Sequence, residues 1–234
     1  MALPYFYIRA ANADITQLTL DENNSKHIIQ VLRMKIGELM HVTDGQGHIF
    51  TCKIIDDHKK KCIVSVLETK KVDPPKKKIC IGISPLKNNS RFEWFIEKAT
   101  EIGVAQIVPL LCERTEKVQV KTERLQSILI SAMLQSQQAW LPVLTTPIKF
   151  LDYLKTATSS QKLIAHCEPD HAKTALSTLP SKNESLILVG PEGDFTNREI
   201  EEALQQNFKP VALGNTRLRT ETAAIVAVTL LQQA

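Results

Sequence analysis

Apolar positions along the 234-residue chain fall into two textures. Up to about residue 72 they form short runs, Tyr5 to Ile8, Leu39 to Val42, His48 to Ile55 and Cys62 to Leu67, separated by turn residues. This pattern predicts β-strands, and Asp44-Gly45-Gln46-Gly47 offers a hairpin turn between two of them. One stretch differs: Ile28, Val31 and Leu32 recur at helical spacing between Ser25 and Arg33, with Gly37 beyond. Seventy residues of this kind predict a small β-barrel with a helical insertion.

The segment from Lys70 to Lys78 holds two prolines among five lysines and reads as a linker. The expected division is therefore residues 1–72 and 73–234. Past it, apolar strands alternate with longer helices, which predicts a parallel sheet covered by helices. Strands are expected at Ile79 to Ser84, Gln106 to Leu111, Leu163 to His166, Leu186 to Val189 and Pro210 to Leu213. Between the first two, Ser90 and Glu93 suggest a capping box, Phe92, Phe95, Ile96, Ala99 and Ile102 share a face, and Gly103 marks the stop. Thr196 and Glu199 mark another helix start, with Ile200, Ala203 and Leu204 facing inward. Further helices are expected from Glu123 to Ala139 and from Thr222 to Gln232. The last is apolar almost all round, so either the fold encloses it or a second subunit covers it; a subunit interface is the expectation.

Composition changes this picture little. Hydrophobic residues make up 43% and charged residues 23%, enough for a real core, and a net charge of +4 tolerates a polyanion without requiring one. No run approaches the roughly 18 apolar residues of a membrane span, and no export signal leads the chain, which predicts a cytoplasmic protein without membrane or metal partners. Cys52, Cys62, Cys80, Cys112 and Cys167 are odd in number and lack ligand spacing, so buried free thiols are expected.

Nucleotide-binding glycine fingerprints, a Walker loop and a nucleophile elbow are all missing. Two segments carry candidate chemistry instead. The run from Leu186 through Gly190-Pro191-Glu192-Gly193 to Thr196 is a buried strand entering a capped helix through two glycines. It reads equally as a ligand loop at a strand end or as a plain turn. The run Val211 to Ala223 places Arg217, Arg219 and Glu221 between a buried strand and a buried helix. Charges placed there are used on a ligand, or they pair to cap the helix.

Gly190-Pro191-Glu192-Gly193, then Leu213-Gly214 and Leu218-Arg219-Thr220-Glu221-Thr222-Ala223, resemble the paired carboxy-terminal motifs of the ribosomal RNA small subunit methyltransferase E family. Val31-Leu32-Arg33-Met34, the helix Glu97 to Val104, Pro109 and Glu113-Arg114-Thr115 extend the resemblance over essentially the whole chain. It implies an α/β fold of the SPOUT class with a carboxy-terminal trefoil knot, preceded by a PUA-like RNA-binding β-barrel. It further implies a homodimer that uses S-adenosylmethionine to methylate a uridine N3 in 16S rRNA of the small ribosomal subunit. A knot cannot be read from periodicity.

By the same resemblance the cofactor lies among three loops, bound by His166, Cys167, Gly190, Pro191, Gly193, Leu213, Gly214, Leu218, Thr220 and Thr222. Arg9, Arg33, Lys35 and Arg91 are the expected RNA contacts. An imide nitrogen is a weak nucleophile unless it loses its proton or its anion is stabilised. Arg219 suits the second task, with Glu221 or Glu192 orienting it or accepting the proton. The chain departs from the family pattern at Asp194, where a second glycine is usual, and at Gln138, where an arginine is usual. Three other readings remain at this point: a SPOUT methyltransferase of tRNA or of a ribose hydroxyl, a non-catalytic RNA-binding assembly factor, and a nucleotide-binding enzyme without methyl transfer, which requires that ATP compete at the same site.

Overall fold

A computed structural model of the protein describes residues 3–9, 14–169, 171–180 and 182–233. The chain divides into two compact units, Met1–Pro74 with Met133–Leu141, and Pro75–Ala132 with Pro142–Ala234.

In the first unit, strands β1 (Tyr5–Tyr7), β2 (Gln17–Thr19), β3 (Leu39–Thr43), β4 (His48–Asp56) and β5 (Ile63–Lys71) form one sheet in the order β1-β3-β4-β5-β2. Their inward residues, among them Phe6, Met40, Val42, Phe50, Ile54 and Val64, share a core with Ile28. Strand β2 escapes the sequence reading because three residues are too few to show a period. Helix α1 (Glu22–Lys26) is capped by Asp21 and runs into a π-helical turn over His27–Val31. There the Leu32 amide donates to the His27 carbonyl at 2.9 Å, five residues back. The wider turn breaks the 3.6-residue spacing. Ile28 is fully buried while Val31 is 68% and Leu32 44% exposed, so the expected inward face is not formed.

Lys70 and Lys71 are not linker either. They pair with Ile49 and His48 as the end of β5, their side chains exposed, and the irregular connection shrinks to residues 72–77.

The second unit is built on β6 (Lys78–Ile83), β7 (Gln106–Leu111), β8 (Val143–Leu144), β9 (Ile148–Lys149), β10 (Gln161–Ala165), β11 (Thr174–Ala175), β12 (Glu184–Val189) and β13 (Lys209–Ala212). The order β11-β13-β10-β12-β6-β7-β8 is parallel throughout, with β9 pairing on β7. Strand β12 is laid between β6 and β10, both of which precede it in the chain. Helices α2 (Asn89–Ile102), α3 (Thr122–Gln135), α4 (Phe150–Thr156), α5 (Asn197–Gln205) and α6 (Thr220–Gln233) complete the unit, except that the last residues of α3 belong to the first.

Asn88, not Ser90, caps α2: it is extended (φ −87°, ψ 109°) and accepts from the Ser90 and Arg91 amides, whereas Ser90 is already helical. Helix α3 stops short of the expected Ala139, and Gln137 turns left-handed (φ 54°). The segment that follows joins the first unit, where the Trp140 indole donates to the Val72 and Asp73 carbonyls. Among the five free thiols Cys167 is exposed, against expectation, because it lies in the loop after β10. No helix among the described residues is long and apolar enough to cross a membrane.

Candidate functional site

Ala165 pairs with Val189 on one side and with Val211 on the other. Parallel strands in register end together, so loops 166–168, 190–196 and 213–219 leave the sheet at one edge, where α/β proteins bind ligands. The expected cofactor residues therefore share one edge: Pro191 and Gly190 buried, Leu213 and Leu218 half-buried, Gly193 and Gly214 exposed, and Thr220 buried at the start of α6 beside exposed Thr222.

Loop 190–196 is fastened on three sides. Arg114, from the loop after β7, donates Nη1 to the Gly193 carbonyl at 2.7 Å. The Lys87 amide, after β6, donates to Glu192 Oε1 at 3.0 Å. Asp194 Oδ2 accepts the Cys167 amide at 2.7 Å, while Oδ1 accepts the Phe195 amide at 2.8 Å. The loop then enters α5 through the expected capping box of Thr196 and Glu199. A Cβ at Gly190 would stand 3.1 Å from the Phe195 ring and amide, so any larger residue there has to push Phe195 aside by a few tenths of an ångström. At Gly214 (φ +155°) an added Cβ would meet nothing within 4 Å, so backbone faces open space there.

His166 is 7% exposed, and neither ring nitrogen has a hydrogen-bond partner among the described residues. Buried polar groups are ordinarily satisfied, so an orphaned imidazole at this edge is a place for a ligand's polar atoms. Burial pushes its pKa down to about 4, aided by Lys173 and opposed by Asp194. The His171 ring lies edge-on at 5.6 Å. Burial and Asp194 push the neighbouring Cys167 thiol up, while Arg217 and Lys173 oppose them, so Arg217 brings the loop after β13 within electrostatic reach of the loop after β10.

Arg219 is exposed, and its side chain has no partner among the described residues; its carbonyl accepts the Ala223 amide at 2.7 Å in the first turn of α6. Glu221 is buried, and its carboxylate pairs with Arg91 Nε at 3.6 Å. Arg91, an expected RNA contact, is thus already engaged. Arg9, Arg33 and Lys35 lie exposed on the first unit, Arg33 in the left-handed region (φ 58°) just after the π turn. Sequence reasoning missed Arg114, Lys87 and the tie made by Asp194. All follow the carboxyl ends of β6, β7 or β12, which was the available signal.

A family model described as an RNA methyltransferase domain matches residues 73–232, and one described as an RNA methyltransferase PUA domain matches residues 20–67. The ribosomal RNA small subunit methyltransferase E of Rickettsia conorii is 30% identical over 95% of this chain and 92% of its own.

The chain belongs to the ribosomal RNA small subunit methyltransferase E family.

A crystal structure of a probable rRNA methyltransferase from Porphyromonas gingivalis is 39% identical, with a TM-score of 0.89 over 99% of each chain. A ribosomal RNA small subunit methyltransferase E from Neisseria gonorrhoeae, bound to S-adenosyl methionine, is 28% identical with a TM-score of 0.88 over 99% of this chain and 98% of that one. The methyltransferase E fold found here is the SPOUT-type α/β knot, with a PUA-like domain leading it.

Proposed function

We propose that the protein is an S-adenosylmethionine-dependent methyltransferase that methylates N3 of a specific uridine in 16S rRNA. The observation that carries this reading is the meeting of three loops at one sheet edge, with glycine backbone, an orphaned buried imidazole and a free guanidinium.

These features suit the cofactor. His166 offers one donor and one acceptor, Gly190 and Gly214 let backbone groups approach closely, and Leu213 and Leu218 supply apolar walls. Bound there, S-adenosylmethionine supplies a methyl group activated by its sulfonium. Arg219 stabilises the negative charge that develops on the uracil oxygens as N3 loses its proton. Glu221 is already neutralised by Arg91 and sits in the first turn of a helix, so it orients the segment that carries Arg219. Glu192, held by Lys87 through one oxygen, accepts the proton with the other.

Residues 1–72 serve as the RNA-binding domain, with Arg9, Arg33 and Lys35 as phosphate contacts, and residues 73–234 as the catalytic domain. The active form is a cytoplasmic homodimer joined through the apolar stripe of α6. The test is methyl transfer from labelled S-adenosylmethionine to small ribosomal subunits and to bare 16S rRNA from a strain lacking the activity, with mass analysis of the modified base. Methyl incorporation at N3 of one uridine is the expected result. Methylation of tRNA or of a ribose, or binding of RNA with no transfer, overturns the reading.

A further inference from the structure

Asp194 occupies a position that glycine would fill with less strain. Its φ of 64° lies in the left-handed region that L side chains avoid unless a short polar side chain bonds locally. Asp194 meets that condition through Oδ1, which accepts the Phe195 amide one residue on. The other oxygen does something the local turn does not require. Oδ2 accepts the Cys167 amide at 2.7 Å, from 27 positions earlier in the chain, across the ends of β12 and β10. The Cys167 thiol bonds the same carboxylate, so Asp194 ties loop 166–168 through both the backbone and the side chain of one residue.

The amide it holds directly follows His166, whose buried ring nitrogens have no hydrogen-bond partner among the described residues. Fixing the Cys167 amide therefore fixes the backbone that presents that imidazole. On the other flank, Arg114 already holds the Gly193 and Phe195 carbonyls, so Asp194 closes the remaining gap in the fastening of loop 190–196.

We propose that Asp194 is a positioning residue that locks loop 190–196 to loop 166–168 and so holds the cofactor pouch in its binding shape before the cofactor arrives. The inference rests on the reading of this edge as the S-adenosylmethionine site. Ordering two loops in advance removes that entropic penalty from the binding step, so the effect falls on cofactor affinity and not on methyl transfer. A glycine at 194 keeps the turn and removes every bond the carboxylate makes. An asparagine tolerates the same φ and keeps one acceptor oxygen.

The experiment is calorimetric titration of S-adenosylmethionine into the full-length protein, Asp194→Gly and Asp194→Asn, with amide hydrogen exchange on the ligand-free chains. In Asp194→Gly the dissociation constant and the cofactor KM rise by about tenfold, and in Asp194→Asn by less, as expected for lost preorganisation. In Asp194→Gly the Cys167 amide exchanges faster than in the unmutated protein. The rate constant kcat, the KM for RNA and the thermal midpoint of Asp194→Gly stay as in the unmutated protein. Unchanged cofactor affinity in Asp194→Gly, or a fall in kcat or thermal midpoint without a change in cofactor affinity, overturns the proposal. Failure of the unmutated protein to bind S-adenosylmethionine sinks the functional reading itself.

Discussion

Arg91 Nε lies 3.6 Å from Glu221 Oε1 and joins the first turn of α2 to the first turn of α6. The two side chains are unequally placed, Arg91 44% and Glu221 10% exposed. Removing the cation leaves a largely buried carboxylate without its partner. Arg91→Ala is therefore expected to lower stability by about 1–2 kcal/mol, less than a fully buried pair because Arg91 is solvated. Urea unfolding checks this. If Arg91 served RNA alone, stability would stay put while RNA affinity fell.

Arg219 presents the opposite case, an exposed cation with no partner among the described residues at the mouth of the three loops. Arg219→Ala is expected to cut kcat by about 10²–10³, the usual loss for one charge-stabilising donor. Cofactor affinity and thermal midpoint should hold. Methyl transfer within a few-fold of the unmutated protein would remove Arg219 from the mechanism.

Gly190 closes against Phe195, whose ring lies tilted against Phe150 with centroids 5.1 Å apart, both within one hydrophobic core cluster. A methyl group there has no direction to move except into that packing. Gly190→Ala should cost about 1–3 kcal/mol, the range for an overpacked site, and should weaken cofactor binding as the loop shifts. Thermal melts and calorimetry on the same samples separate the two effects.

His166 sets a pH dependence whose sign follows from its low folded pKa, about 4 against an ordinary 6.5. Between those values the unfolded chain binds a proton that the folded chain refuses, so stability rises with pH and is lost as pH falls from 6.5 toward 4. The loss contributed by this one group reaches about 3 kcal/mol at most. Comparing urea midpoints at pH 7 and 4.5 for the protein and for His166→Leu checks it: the variant should show a shallower dependence over that window.

The strands of the larger unit were legible because parallel strands buried on both faces read as continuous apolar runs, as Ile79 to Ile83 and Leu186 to Val189 do. Their common ends followed, and with them the edge that carries the candidate site. What stayed hidden depended on contacts between distant positions. Nothing local in His27 to Leu32 announces a π turn, so Val31 and Leu32 looked inward. Ser90 with Glu93 matched a capping box in spacing, yet the chain enters the helix two residues earlier and Asn88 takes the role. Asp194 looked like a departure from pattern, and only the position of Cys167 turned it into a tie. The pairing of Arg91 with Glu221 lies equally beyond any local signal, since 130 positions of chain separate them.

Helix α6 raises the last question, what covers its outer side. Ala224, Ala227, Val228 and Leu231 are buried within the chain, and the helix packs on α2, β6 and β12. Thr222, Val226 and Leu230 follow at four-residue spacing, exposed or half-buried, and form a stripe on a helix face left partly open. A second copy of the chain covers that stripe in the proposed homodimer. Val226→Glu should then shift the protein to monomer in sedimentation experiments, because a carboxylate buried at an interface without a partner costs several-fold to many-fold in affinity. The fold of each chain should survive, since Val226 is not part of the buried set. Loss of methyl transfer together with the dimer would show that the three-loop edge works only when paired, whereas a Val226→Glu chain that stays dimeric would place the interface elsewhere.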